Sequence, residues 1–126
     1  MRALLIFFGA GLGGVARHAV GSWIHTAAGS GFPWGTLLVN VTGSLLLAGT
    51  YVLLEGMALA PEWHAFLGIG ILGGYTTFSS FSYETLRLMQ DGQWLRAWAY
   101  AAGSVMLCLM AAVLGFQLAL IVLRRG

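Results

Sequence analysis

Between Thr76 and Glu84 the chain sets five serines and threonines, Thr76, Thr77, Ser79, Ser80 and Ser82, around two phenylalanines, Phe78 and Phe81, with Tyr83 and Glu84 closing the stretch. Phe78 and Phe81 stand at i, i+3, which puts both rings on one face of a helix with hydroxyls in the spaces between them. Such a face offers O–H donors and the electropositive edges of aromatic rings, and Glu84 is its one embedded acid. Arg17, Asn40, Thr42, Ser44, Tyr100, Ser104 and Gln117 add further polar groups to stretches that are otherwise apolar. Polar groups at membrane depth must find partners, and a lining dominated by donors suits a small anion better than a cation.

Taken singly, each of these residues has a plainer reading. A Phe pair at helical spacing packs against lipid or core, and Ser and Thr hydroxyls bond back to their own helix. Arg17 either snorkels its long stem to the interface or stands as an electrostatic attractor for an anion at a vestibule. Asn40 either glues helices together or lines a pore. Glu84 lies past the midplane, where it pairs with Arg87 at i, i+3 or takes part in the polar lining. His18, His25 and His64 are not at ligand spacing with other metal-binding residues, so no metal is assigned to them. No nucleophile, base and orienting acid form a recognisable set, which leaves enzyme chemistry with little support. Cys108 is the only cysteine, which excludes an intramolecular disulfide, and it reads as a small packing residue.

The elements that must hold these groups are membrane spans. Of the 126 residues, 59% are hydrophobic and 8% charged, against roughly 25% charged in a soluble domain. The mean hydropathy is +0.84. Four apolar stretches each approach the roughly 20 residues that cross a hydrocarbon core: about 3–25, 34–54, 63–89 and 94–123. They predict one all-helical membrane domain over 1–126. Turn residues separate them at 28–33, 55–62 and 90–93. Trp23, Trp34, Trp63, Trp94 and Trp98 fall near the predicted ends, as an interfacial aromatic belt requires. Arg2 ahead of the first apolar stretch resembles the start of a signal peptide, but no small-residue cleavage site leads into a soluble domain, so this stretch is expected to be a retained span. In the third stretch Gly73, Gly74, Tyr75, Thr76 and Thr77 predict a helix break near the middle, tolerated only where protein or a water-filled cavity satisfies the backbone.

Net charge is +2, with six arginines and no lysine, too few and too scattered for a nucleic-acid partner. With four spans, Arg2, Arg124 and Arg125 lie on one side of the membrane, and Arg87 and Arg96 on the other, with Arg17 reaching toward them. So even a distribution barely biases orientation. The chain is therefore expected to insert both ways up, and two oppositely oriented copies to pair about a two-fold axis in the membrane plane. Four helices are also few to surround a pore, which again argues for a dimer.

The run Gly73, Gly74, Tyr75, Thr76, Thr77, Phe78, Ser79, Ser80, Phe81 and Ser82, followed by Tyr83 and Glu84, resembles the third-helix signature of the Fluc, or CrcB, fluoride channels. Gly35, Thr36 and Leu37 through Asn40 and Gly43 on the second span, and Gly9 through Gly14 leading to Arg17 on the first, extend the resemblance over essentially the whole chain. It implies a dual-topology antiparallel homodimer with two pores that export cytoplasmic fluoride passively from a bacterial inner membrane. By that resemblance Asn40, Phe78 and Phe81 line the pore. Ser79, Ser80, Ser82, Tyr100 and Ser104 supply hydroxyls along or near the path, Glu84 lies toward its end, and Arg17 stands at a vestibule. It also implies a structural sodium ion at the dimer centre, held by main-chain carbonyls of Gly73 and Thr76, with Gly74 and Thr77 as the alternative pair. Cys108 and Gln117 receive no role from it.

Two other functions fit the span count. A drug/proton antiporter of the small multidrug resistance type needs a carboxylate in its first helix, where this chain has Arg17 and no acid. A non-conducting packing subunit explains the glycines through close helix contact, but leaves the hydroxyl-and-Phe segment unused.

Overall fold

The computed structural model describes residues 1–125. They form α1 (Arg2–Ala28), α2 (Trp34–Gly56), α3 (61–75), α4 (Phe78–Gln90) and α5 (Trp94–Arg125), with no strand among the described residues. α1, α2 and α5 are each long and apolar enough to cross a membrane. At about 1.5 Å per residue, their 27, 23 and 32 residues exceed a core about 30 Å thick. Phe7, Leu12, Leu109, Met110 and Val113 point outward. An apolar exterior of this extent fits a bilayer and not water. The chain is thus a multi-pass membrane protein, and all five tryptophans stand exposed near helix ends.

α3 opens with Pro61 in its first turn, where a missing N–H does no harm, and with Glu62 beside the helix N-terminus. It is α-helical over Pro61–Trp63, π-helical over His64–Leu72 and α-helical again over Gly73–Tyr75. The wider winding reaches into the last turn, where the Gly73 N–H donates to the Gly68 carbonyl, five residues back. α3 lies against the glycine-rich face of α1. A Cβ on Gly9 would stand 2.7 Å from the Phe66 oxygen, and one on Gly74 2.6 Å from the Ala10 oxygen. Small residues here let two backbones touch, the main source of helix association where no water drives it.

The chain leaves helical geometry over two residues only: Thr76 at φ −79°, ψ 156° and Thr77 at φ −151°, ψ 117°. The expected break over Gly73–Thr77 is therefore too wide. Gly73, Gly74 and Tyr75 remain helical, because Gly74 serves contact with α1. The extended geometry falls to β-branched threonines, which it suits.

α2 and α5 form an extensive helix pair. Below it a compact core of Leu37, Leu88, Ala97 and Tyr100, with Phe32 and Phe81 against it, fixes α4 between α2 and the start of α5. The α4–α5 connection is a Schellman turn: the Gln93 N–H donates to the Leu88 oxygen at 2.8 Å and the Gly92 N–H to the Met89 oxygen at 3.0 Å. Gly92 takes the positive φ of 73° this turn requires.

Candidate functional site

The break at Thr76–Thr77 exposes backbone groups that a continuous helix would have paired, and side chains from two other helices take them up. The Asn40 Nδ2 donates to the Thr77 carbonyl at 2.9 Å, and the Thr77 N–H donates to Asn40 Oδ1 at 2.8 Å. One amide thus pairs both backbone groups of Thr77 as a neighbouring strand would. Arg17 Nη1 donates to the Thr76 carbonyl at 3.3 Å, bringing a cation to the C-terminal end of α3, where the helix dipole favours it. Arg17 therefore does not simply snorkel away from the membrane interior.

Thr77 also starts α4. Its hydroxyl oxygen accepts the Ser80 N–H at 3.2 Å, the N-cap contact that satisfies one free donor of the new helix. The same hydroxyl donates to Ser80 Oγ and shares a hydrogen bond with Ser79 Oγ, both at 3.2 Å. Ser82 is exposed, and its hydroxyl donates back to the Phe78 carbonyl at 2.9 Å. Back-bonding to the helix, the plainer alternative for these hydroxyls, thus holds for Ser82.

Glu84 is held by two hydroxyls from different helices. Thr36 Oγ1 donates to Oε1 and the Tyr100 hydroxyl to Oε2, each at 2.7 Å. Of the two readings open for Glu84, the pairing with Arg87 is not formed; among the described residues the ion pair formed is Arg2–Glu62, at 3.7 Å on the surface. The reason is direction: Tyr100 and Thr36 lie inside the bundle with Glu84, whereas Arg87 faces out.

Two cavities meet at Thr77, which lines both. The first, of about 570 Å³, lies among α1, α2 and α4 and holds Arg17, His18, Thr36, Ser80 and Glu84 on its walls. The second, of about 330 Å³, lies among α2, α4 and α5 and brings together Asn40, Phe78, Phe81 and Ser104. The Phe78 and Phe81 centroids are 5.2 Å apart, and Phe81 continues to Tyr100 at 5.3 Å. Phe78 is 76% exposed, so its ring belongs to the open side of this cavity. Ser104 is only 5% exposed and its Oγ has no hydrogen-bond partner. A buried hydroxyl left alone costs free energy that a ligand in the cavity would recover.

Ser79 and Ser82 line neither cavity and touch them only through hydrogen bonds to Thr77 and Phe78, as Tyr100 does through Glu84, while every other side chain expected at the path, Arg17 included, lines one. At the break Gly73 is exposed, and its carbonyl loses its helical partner because the Thr77 N–H turns to Asn40. Thr36 was not singled out from the sequence as a partner for Glu84. It stands four residues before Asn40 on the same face of α2, and that spacing was the available signal.

Long apolar helices around an interrupted one, with donors converging on cavities beside the interruption, are the frame of a membrane protein that handles a small polar solute. A profile of the CrcB-like protein family (Camphor Resistance, CrcB) matches residues 4–116, and the chain belongs to that family. It is 50% identical over 118 residues to a fluoride-specific ion channel FluC of Thermus thermophilus, covering 93% of this chain and 92% of that protein. The fluoride-specific ion channel FluC of Shewanella oneidensis is 45% identical over 115 residues, covering 91% and 93%.

Proposed function

We propose that this chain is a fluoride-selective channel that lets cytoplasmic fluoride leave the cell passively. The observation that carries the reading is the second cavity. The partnerless Ser104 hydroxyl faces the Phe78–Phe81 pair there, and Asn40 keeps one Nδ2 hydrogen beyond the one given to Thr77. An unhydrated fluoride in a dry site costs tens of kcal/mol unless donors replace its water, and this cavity supplies O–H, N–H and ring-edge donors. Glu84 does not oppose this, because Thr36 and Tyr100 spend their hydrogens on its two oxygens. Arg17 gives the first cavity a positive wall, from which an anion reaches the hydroxyls of Ser80 and Thr77. Relatives whose names declare fluoride specificity, at near-complete coverage, support the same assignment.

In this reading α3 and α4 together make a fourth crossing, and two chains of opposite orientation form a dimer with two pores in a bacterial inner membrane. The exposed Phe78, Ser79 and Ser82 then face the partner's side of the path. A structural sodium ion fits the break through hard carbonyl oxygens. Gly73 and Thr76 are its ligands, with Gly74 and Thr77 as the alternative pair: the Gly73 carbonyl has lost its helical partner, while the Thr76 and Thr77 carbonyls each accept a side-chain hydrogen bond, from Arg17 and Asn40, that a bound ion would share or displace. Two carbonyls from each of two chains supply four oxygens without a carboxylate.

Fluoride efflux from liposomes holding the purified protein, followed with a fluoride electrode and balanced by valinomycin-carried potassium, tests the function. Release dependent on valinomycin and unmatched by chloride is expected. Release no faster than from protein-free liposomes, or chloride release at the same rate, overturns the proposal.

A further inference from the structure

Cys108 does not sit in packing. It is half-buried, one turn beyond Ser104 on α5, and its side chain lines the second cavity together with Asn40, Phe78 and Phe81. A thiol alone is not a site, but this one shares its space with the partnerless, buried Ser104 hydroxyl, an independent sign that the cavity takes an occupant. The cavity, at about 330 Å³, has room for a single metal atom bearing a small substituent. Cysteine sulfur is a soft ligand that selects soft metals over hard ones, and Cys108 is the only cysteine of the chain.

We infer that Cys108 is an inhibitory site for soft, thiophilic metals, a group that includes mercury and silver, and that metal bound there closes the path beside Phe78 and Phe81. The inference rests on the channel reading of this same cavity. With methylmercury chloride the step is a substitution: an S–Hg bond forms, the S–H and Hg–Cl bonds break, and a proton and chloride leave. No electrons are exchanged. The sulfur-bound metal then occupies the volume that an ion beside Ser104 would use, so metal and fluoride exclude one another.

The test treats the full-length protein in liposomes with methylmercury chloride at constant background chloride. It follows intact mass and fluoride efflux together, each rate taken relative to the same protein untreated. Expected are one added mercury per chain, efflux falling to the protein-free rate, and recovery on adding excess thiol. Added fluoride should slow the labelling where equal nitrate does not, and Cys108→Ser and Cys108→Ala should keep their own untreated rates. Absence of labelling, full labelling with undiminished efflux, labelling indifferent to fluoride, or equal block of Cys108→Ala each overturns the inference. Should either variant fail to fold, the labelling and protection of the unaltered protein still decide the matter. An untreated protein that releases no fluoride overturns the channel reading instead and is recognised by that control alone.

Discussion

The two cavities that meet at Thr77 handle their polar groups in opposite ways. In the first, the acid is closed off by its neighbours, both Glu84 oxygens being taken by Thr36 and Tyr100, and Ser80 is tied to Thr77. In the second, Ser104 is buried without a partner, and Phe78 and Phe81 border the open space. A cavity whose polar groups pair with one another keeps its shape unaided, whereas one with an orphaned donor is incomplete until something enters. The contrast divides the site into a scaffold half and a recognition half, with Asn40 serving both because its amide clamps Thr77 and also lines the second cavity.

The largest effect is expected at that shared residue. Asn40→Ala strands the N–H and the carbonyl of Thr77 at membrane depth, and each unsatisfied buried group costs about 1–3 kcal/mol. Thermal unfolding in detergent should shift well down and fluoride efflux should vanish. An Asn40→Ala protein with unchanged melting temperature would show that the clamp does not hold the break.

Next comes the contact between α1 and α3. Gly74→Ala drives a methyl against the Ala10 carbonyl, 2.6 Å from the Cβ position, and overpacking of this kind costs about 1–3 kcal/mol. Gly14, beside Gly13 on α1 but with nothing within 4 Å of its added Cβ, is the control. Gly14→Ala should be neutral or up to about 1 kcal/mol stabilising, through better helix propensity. Equal melting temperatures for the two variants would contradict the close approach.

These glycines also show how far the sequence could be read. Apolar lengths and tryptophan positions were enough to outline the long helices, since a bilayer fixes span length almost independently of tertiary detail. The phase of the break was not legible. Gly73 and Gly74 read as helix breakers by propensity, but contact with Ala10 keeps Gly74 helical and moves the break to Thr76 and Thr77. Local propensity is a weak prior beside a packed neighbour. At the site, the third-helix motif pointed to Phe78, Phe81, Ser79, Ser80 and Ser82 together, whereas the partners of Glu84 were not legible, because i, i+3 spacing describes one helix and Thr36 and Tyr100 come from two others. The Asn40–Thr77 pairing was out of reach for the same reason: it links positions 37 residues apart.

In the scaffold half the effect is expected to stay below that of Asn40→Ala. Thr36→Val keeps the shape and removes one of the two hydroxyls on Glu84, a loss of about 1.5–3 kcal/mol for a hydrogen bond to a charged group. Tyr100 still holds the other oxygen. Melting temperature should fall by less than in Asn40→Ala, and efflux should drop without disappearing. A complete loss of efflux at unchanged stability would move Glu84 and Thr36 out of the scaffold and into the recognition half.

The smallest stability change, and the one that separates the halves most cleanly, belongs to Ser104→Ala. An ordinary buried hydroxyl gives up a hydrogen bond when it is removed, but the Ser104 Oγ makes none, so its deletion relieves a buried polar atom instead of breaking a contact. Stability should stay level or rise slightly. Fluoride efflux should nevertheless fall, because the donor facing Phe78 and Phe81 is a buried group of the second cavity committed to no neighbour. Opposite signs for stability and transport, measured on the same preparation, are what a recognition group produces and a scaffold group cannot. If Ser104→Ala lost stability and kept full efflux, the hydroxyl would be bonded within the fold and the division between the two cavities would not stand.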